Sequence, residues 1–176
     1  MASIADLFKT DKAEGLSELF IAQLKDIYWA ENKLTEALPE MEAAATSDEL
    51  KNGIRKHLAE TEGQIARLEQ IFTSIGVEAE GVKCEAMAGL VEEGQDIVAE
   101  TQSGTLTRDA GIIAACQKVE HYEIASYGTL TAWAKILGYE EAARLLHATL
   151  QEEEATDVKL TNLAETFINA SSLIEN

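Results

Sequence analysis

Val119-Glu120-His121-Tyr122-Glu123-Ile124 and Glu152-Glu153-Glu154-Ala155-Thr156-Asp157 sit inside two long segments that contain no proline. The apolar stripe of the first segment runs Ile112/Ile113, Cys116, Glu120, Glu123, Tyr127, Leu130, Ala134, Leu137. That 3-4-3-4 spacing is the inward face of a bundle helix. The stripe of the second runs Leu146, Leu150, Glu153, Asp157, Leu160, Ala164, Phe167. Both stripes therefore place carboxylates where a core is expected. Buried carboxylates need a cation or protons to be tolerated, so pattern and chemistry conflict at the same place on both helices.

Outward from these stretches, the pattern predicts an all-α chain forming one domain, residues 1–176. Residues 1–13 read as an N-terminal arm, with Ile4, Leu7 and Phe8 available to dock on the body or on a second subunit. A first helix is expected over 14–45, with Leu16, Phe20, Leu24, Ile27/Tyr28, Glu31, Leu34, Leu38 and Met41 inward. Pro39 falls inside it and should kink it or free one carbonyl. A second helix is expected over 48–75, capped by Ser47 or Thr46 and stopped by Gly76. Its inward face reads Leu50, Ile54, His57, Glu60/Thr61, Gln64, Ile65, Leu68, Ile71/Phe72 and Ile75. Residues 77–107 are punctuated by Gly81, Gly89, Gly94 and Gly104, with a short helix expected around 84–101. Thr107 is the expected cap of a helix over 109–138. Another helix follows over 139–168, and 169–176 is expected to fray.

Short turns make the first and last helix pairs antiparallel hairpins. The long 77–107 segment can run the length of the bundle, which makes the second and third long helices parallel. One such crossover in a four-helix bundle is the ferritin-like arrangement.

Counting about 1.5 Å of rise per residue from each turn gives each side chain a height. Glu31 and Glu60 are level about the first turn, and Glu123 and Glu153 about Gly138. A pseudo-twofold then relates Tyr28, Glu31, Glu60 and Gln64 to Glu120, Glu123, Glu153 and Asp157. The relative height of the two hairpins stays open. The chemistry that suits this pattern is a site for two cations such as iron or manganese, because oxygen donors favour them. The candidate ligands are Glu31, Glu60, Glu120, Glu123, Glu153, Asp157 and His57, with Tyr28 and Gln64 beside them. No catalytic residue is assigned. The alternative has the same carboxylates at the edge of the stripe, reaching water. His121 and His147 read as structural, Glu152 and Glu154 as facing solvent, and Trp29 and Trp133 as helix-face aromatics.

The formal charge of −18, from 32 acidic and 14 basic residues, argues against nucleic acid, whose phosphates require lysine and arginine. It also argues against anionic membrane surfaces. Cys84 and Cys116 form no CxxC and read as buried thiols of a reducing compartment. Met1-Ala2-Ser3-Ile4-Ala5-Asp6 lacks a basic, apolar leader, so a cytoplasmic location is expected.

The stretch Gln117-Lys118-Val119-Glu120-His121-Tyr122-Glu123-Ile124-Ala125-Ser126-Tyr127-Gly128-Thr129-Leu130 resembles the hallmark of the bacterial YciE/YciF family. His57-Leu58-Ala59-Glu60-Thr61-Glu62-Gly63-Gln64-Ile65, Tyr28-Trp29-Ala30-Glu31 and Cys84-Glu85-Ala86-Met87 extend the likeness over nearly the whole chain. The resemblance implies a ferritin-like bundle, a stress-response association, homodimers and kinship with rubrerythrin-like di-iron proteins. The chain departs from di-iron bundles in carrying no Glu-x-x-His, the motif such bundles place on two helices. Two functions follow as expectations. One is a dinuclear metal protein that oxidises iron or removes peroxide. The other is a non-enzymatic, metal-free structural protein of the stress response.

Overall fold

The structure, a computed structural model, describes residues 13–175, so the docking expected of Ile4, Leu7 and Phe8 lies outside the described residues. The long helices are α1 (Leu16–Ala44), α2 (Asp48–Ser74), α4 (Leu106–Leu137) and α5 (Glu140–Leu163), with α3 (Glu85–Glu100) on the crossover. A five-residue π segment, Ala164–Ile168, leads from α5 into α6 (Asn169–Ser172). There is no strand among the described residues. None of the described helices is long and apolar enough to cross a membrane.

The helix ends follow from local chemistry. Ser47 caps α2, its hydroxyl accepting from the Leu50 amide at 3.2 Å. Thr105, rather than the expected Thr107, caps α4 by accepting from the Arg108 amide. Gly76 and Gly138 take positive φ of 71° and 77°. That lets Val77 bond the Phe72 carbonyl and Tyr139 the Ala134 carbonyl, closing each helix end. Helix α1 runs unbroken through Pro39, which lies on the exposed face where water can satisfy the carbonyl it frees.

Helices α1 with α2 and α4 with α5 form the two hairpins; α1 also packs on α4, and α2 on α5. Helix α3 lies across α1 and α4. Phe20, Leu24, Ile27, Phe72, Ile112 and Leu146 are fully buried between the hairpins. Each such side chain contributes about 1.5–3 kcal/mol by leaving water. The crossover lies close on α1: the Val82 amide donates to the Lys25 carbonyl at 3.1 Å. A Cβ on Gly81 would come within 3.1 Å of Trp29.

Buried Asp109 sets the height of one hairpin against the other. Its two carboxylate oxygens accept from the Thr46 and Ser47 amides at 2.6 and 2.7 Å. The start of α4 is thereby tied to the α1–α2 turn and supplies an anion to the amino end of α2. This contact makes α4 antiparallel to α1 and parallel to α2, as a single long crossover requires.

Two expectations at the carboxyl end are corrected. Residues 169–172 are helical rather than frayed. Phe167, expected inward, is 43% exposed, and Ile168 is buried instead. The π segment inserts a residue into the turn and advances the inward face by one position.

Candidate metal centre

Halfway along the bundle, side chains from all four long helices converge. Glu31 comes from α1, His57 and Gln64 from α2, Glu120 and Glu123 from α4, and Glu153 from α5, and all are buried. His57, Glu120, Glu123 and Glu153 each offer a ligand atom within 4.8 Å of the others. Glu31 adjoins them through Glu123 and accepts a hydrogen bond from the buried Tyr127 hydroxyl. Gln64 donates through Nε2 to Glu153. His57 Nε2 lies 3.3 Å from Glu120 Oε1.

The hydrogen bonding is incomplete in a way that points to a cation. Glu31 Oε2, Glu120 Oε2, both oxygens of Glu123 and Glu153 Oε2 have no partner, nor do Gln64 Oε1 and either nitrogen of His57. Buried polar atoms normally find partners, and each orphan costs about 1–3 kcal/mol. The electrostatics agree. Burial, followed by the charges of neighbouring carboxylates, pushes Glu120 and Glu123 far above the usual carboxylate range. Burial and Glu153 raise Glu31, and burial also raises Glu153. Burial lowers His57 to about 4, so its imidazole is neutral, the form that binds metal. Four carboxylates would balance two divalent ions, and the orphaned atoms are oxygens and imidazole nitrogens, the donors iron and manganese accept. The residues present fit a metal site.

Not every residue expected at the site is brought to it. Glu60 lies off the inward face, 24% exposed and paired with Lys56. The inward series on α2 is His57, Thr61, Gln64, Leu68, which sets Glu60 about 100° away around the helix. Asp157 is likewise displaced, 21% exposed, accepting from Gln117 at 3.1 Å and lying 3.3 Å from His121. On α5 the inward series is Leu146, Thr149, Glu153, Thr156, Leu160, so Thr156 takes the place expected of Asp157. Tyr28 points away, its hydroxyl donating to Glu69 at 3.1 Å and its ring edge-on to Phe72.

Other residues enter unexpectedly. Glu152, expected in solvent, accepts two bonds from Arg67 at 2.7 and 2.6 Å and one from Gln64 at 3.3 Å. Arg67 also bonds Thr149 at 2.8 Å. This chain holds Gln64 against Glu153 and brings a guanidinium close to the acidic core. Its signal in the sequence was faint: Arg67 lies three residues after Gln64, one helical turn on. Tyr127 stood on the inward stripe as a core aromatic, and its bond to Glu31 becomes visible only once the hairpin heights are known. The thiol of Cys116, beside Glu120, is pushed by burial up to about 12 and holds its proton. That of Cys84 is also raised by burial, and it lies 3.1 Å from the Tyr122 hydroxyl.

Comparison with known proteins places the geometry in a lineage. The Escherichia coli protein YciF is 47% identical over 155 residues, covering 88% of this chain and 93% of its own. The crystal structure of that E. coli stress protein superposes with a TM-score of 0.84 over 89% of this chain and 98% of that chain, at 46% identity. YcfI from Rhodopseudomonas palustris gives the same TM-score at 42% identity, over 88% of this chain and 98% of its own. A Xanthomonas campestris protein shares the fold at 24% identity, with a TM-score of 0.68 over 89% of this chain and 95% of that chain. A family model described as a domain of unknown function matches residues 15–173. With that match and the 47% identity to YciF across most of both chains, the chain belongs to the DUF892 family.

Proposed function

We propose that the bundle core holds two iron or manganese ions and that the protein works in the stress response by oxidising ferrous iron or removing peroxide. The observation carrying this reading is the set of five partnerless carboxylate oxygens gathered with neutral His57 in one buried group. Glu31, Glu120, Glu123, Glu153 and His57 would hold the ions. When bound, such ions supply the one-electron chemistry that side chains lack. The chain's own part is to position and to insulate. Tyr127 orients Glu31, and Gln64, itself steadied by Glu152 and Arg67, orients Glu153. The stress association comes from the relative named a stress protein. A cytoplasmic homodimer accords with this reading.

The test is metal content per chain by mass spectrometry, on protein prepared without chelator or nickel. About two ions per chain are expected, with loss of most of them in Glu123→Ala combined with Glu153→Ala. Metal content that is unchanged in the double variant would sink the ligand assignment.

A second reading has one observation in its favour. Tyr127 and Gln64 already satisfy one oxygen each of Glu31 and Glu153, and carboxyls raised this far can remain protonated without any ion. On that reading the protein is a metal-free structural member of the stress response. No uptake after anaerobic iron loading would select it.

A further inference from the structure

Helix α3 packs on α1 and α4 and fills the space between them, where Leu90 and Val91 leave about 30 Å³. The gap between α2 and α5 has no such cover and keeps a cavity of about 220 Å³. Leu50, Ile54, Leu160 and Leu163 make its apolar walls. Glu49 and Glu60 stand with Lys56 and Lys159 at its outer edge, so the charges there balance. Gly53 lines it too, and a Cβ there would meet nothing within 4 Å, so the mouth is open where a side chain would narrow it. Three buried polar residues line the same space: His57, Glu120 and Thr156. Both nitrogens of His57, Glu120 Oε2 and Thr156 Oγ1 have no hydrogen-bond partner. The threonine is the telling one. Thr73 and Thr166 bond the carbonyl one turn back in their helices. Thr156 does not, and it stands outside the residues assigned to the metal.

We propose that this cavity binds an uncharged organic molecule with an apolar body and one hydroxyl, the body between Ile54 and Leu160 and the hydroxyl at Thr156 and His57. Apolar walls take the body by the hydrophobic effect. A hydroxyl both donates and accepts, which an imidazole and a threonine can match. A charged head would gain nothing from a balanced edge and would lose its hydration among the leucines. A cavity of about 150 Å³ lined by apolar side chains takes benzene, so this one holds roughly eight or nine non-hydrogen atoms. That is several times the space peroxide or dioxygen needs, so an oxidant alone does not explain it. Benzyl alcohol has the required size and chemistry. The inference goes beyond the metal reading and does not require it, because Thr156 stays available when an ion takes His57 and Glu120.

Isothermal titration of the full chain with benzyl alcohol, toluene and benzoate, in the presence of chelator, tests it. One benzyl alcohol should bind per chain, and benzoate should bind about tenfold more weakly or worse. Thr156→Val keeps the shape and removes the hydroxyl; it should weaken benzyl alcohol about fivefold and leave toluene unchanged. Gly53→Phe should abolish binding of both, whereas Gly89→Phe, in equally open space on α3, should change neither. Circular dichroism checks that each variant is folded. No saturable binding, benzoate as tight as the alcohol, or a Thr156→Val variant that treats alcohol and toluene alike overturns the proposal. So does a dimer that Gly53→Phe turns into a monomer in sedimentation, because a second copy would then occupy the gap. Manganese uptake, measured on a parallel sample, judges the metal reading separately.

Discussion

Replacing Glu123 by methionine should make the metal-free protein more stable and the metal-supplied protein less able to gain from metal. Both Glu123 oxygens are buried without a hydrogen-bond donor, and burial, followed by the neighbouring carboxylates, raises the group far above the usual carboxylate range. The wild-type cost is therefore that of a buried polar group without a donor, about 1–3 kcal/mol, and methionine of similar length removes it. For a chain of this size about 2 kcal/mol corresponds to roughly 4–8 °C in melting temperature. The wild type should recover that deficit when metal is added: at a hundredfold excess over Kd, binding stabilises by about 2.7 kcal/mol. The variant, lacking a ligand at the centre of the group, should gain little. Thermal melts followed by circular dichroism at pH 8, with chelator and with manganese, should thus cross. If the chelated variant melts several degrees below the chelated wild type, Glu123 is satisfied in the folded protein and the orphan argument fails.

Two further outcomes follow from the same geometry. In chelated protein the raised carboxyls contribute stability that is fully present below 4.5 and lost as pH rises through about 7 for Glu153 and about 8 for Glu31. His57, lowered to about 4, contributes stability present above 6.5 and lost as pH falls through its folded value. Urea unfolding of the chelated protein should therefore show stability rising as pH falls from 9 toward 4.5, with His57 offsetting one carboxyl's share below 6.5, and stability that falls with falling pH between 9 and 6.5 would contradict the placement of these groups. Asp109→Ala removes a buried carboxylate that accepts from two amides; a loss of about 3 kcal/mol is expected, or roughly 6–12 °C in melting temperature. A change of under 1 °C would mean the hairpins are held at height by other contacts.

How far the site was legible differed from helix to helix. On α4 the stripe placed Glu120, Glu123 and Tyr127 inward, and all three are buried. Apolar residues before and after them leave only one phase for the helix. On α2 the inward phase was ambiguous between Glu60 and Thr61, because polar residues occupy both positions and only packing chooses. On α5 the stripe placed Asp157 inward, and Thr156, whose hydroxyl is smaller than a carboxylate, takes that place instead. Helical phase at a polar turn is set by what lies opposite, and that needs the hairpin heights. Asp109 supplies those heights. It belongs to no apolar stripe, and its partners are backbone amides 62 and 63 residues away. The Arg67–Glu152 link was hidden for the same reason, since charged residues flanking a stripe look alike whether they face water or each other.

The asymmetry of the bundle explains which carboxylates became orphans. The hairpins meet along two gaps, α1 against α4 and α2 against α5, but the chain has only one crossover and so covers only one of them. Under α3 the gap is filled, which leaves Glu31 and Glu123, carried by the two helices it covers, shut in on that side, while Glu120 is reached only along the uncovered gap. Along the α2–α5 gap Glu60 escapes outward to Lys56, and the space it might have closed remains as the 220 Å³ cavity. Access to the acidic group and its insulation then have one cause, a connection long enough to span the bundle and rich enough in apolar residues to cover one side of it. Shortening α3, or making Leu90 and Val91 polar, should open the covered gap and let water reach Glu120 from both sides. The raised carboxyl values should then relax toward the ordinary range, and that would appear as a weaker dependence of chelated stability on pH between 6.5 and 9. An unchanged dependence would show that the carboxylates' mutual repulsion, rather than the cover provided by α3, sets their protonation.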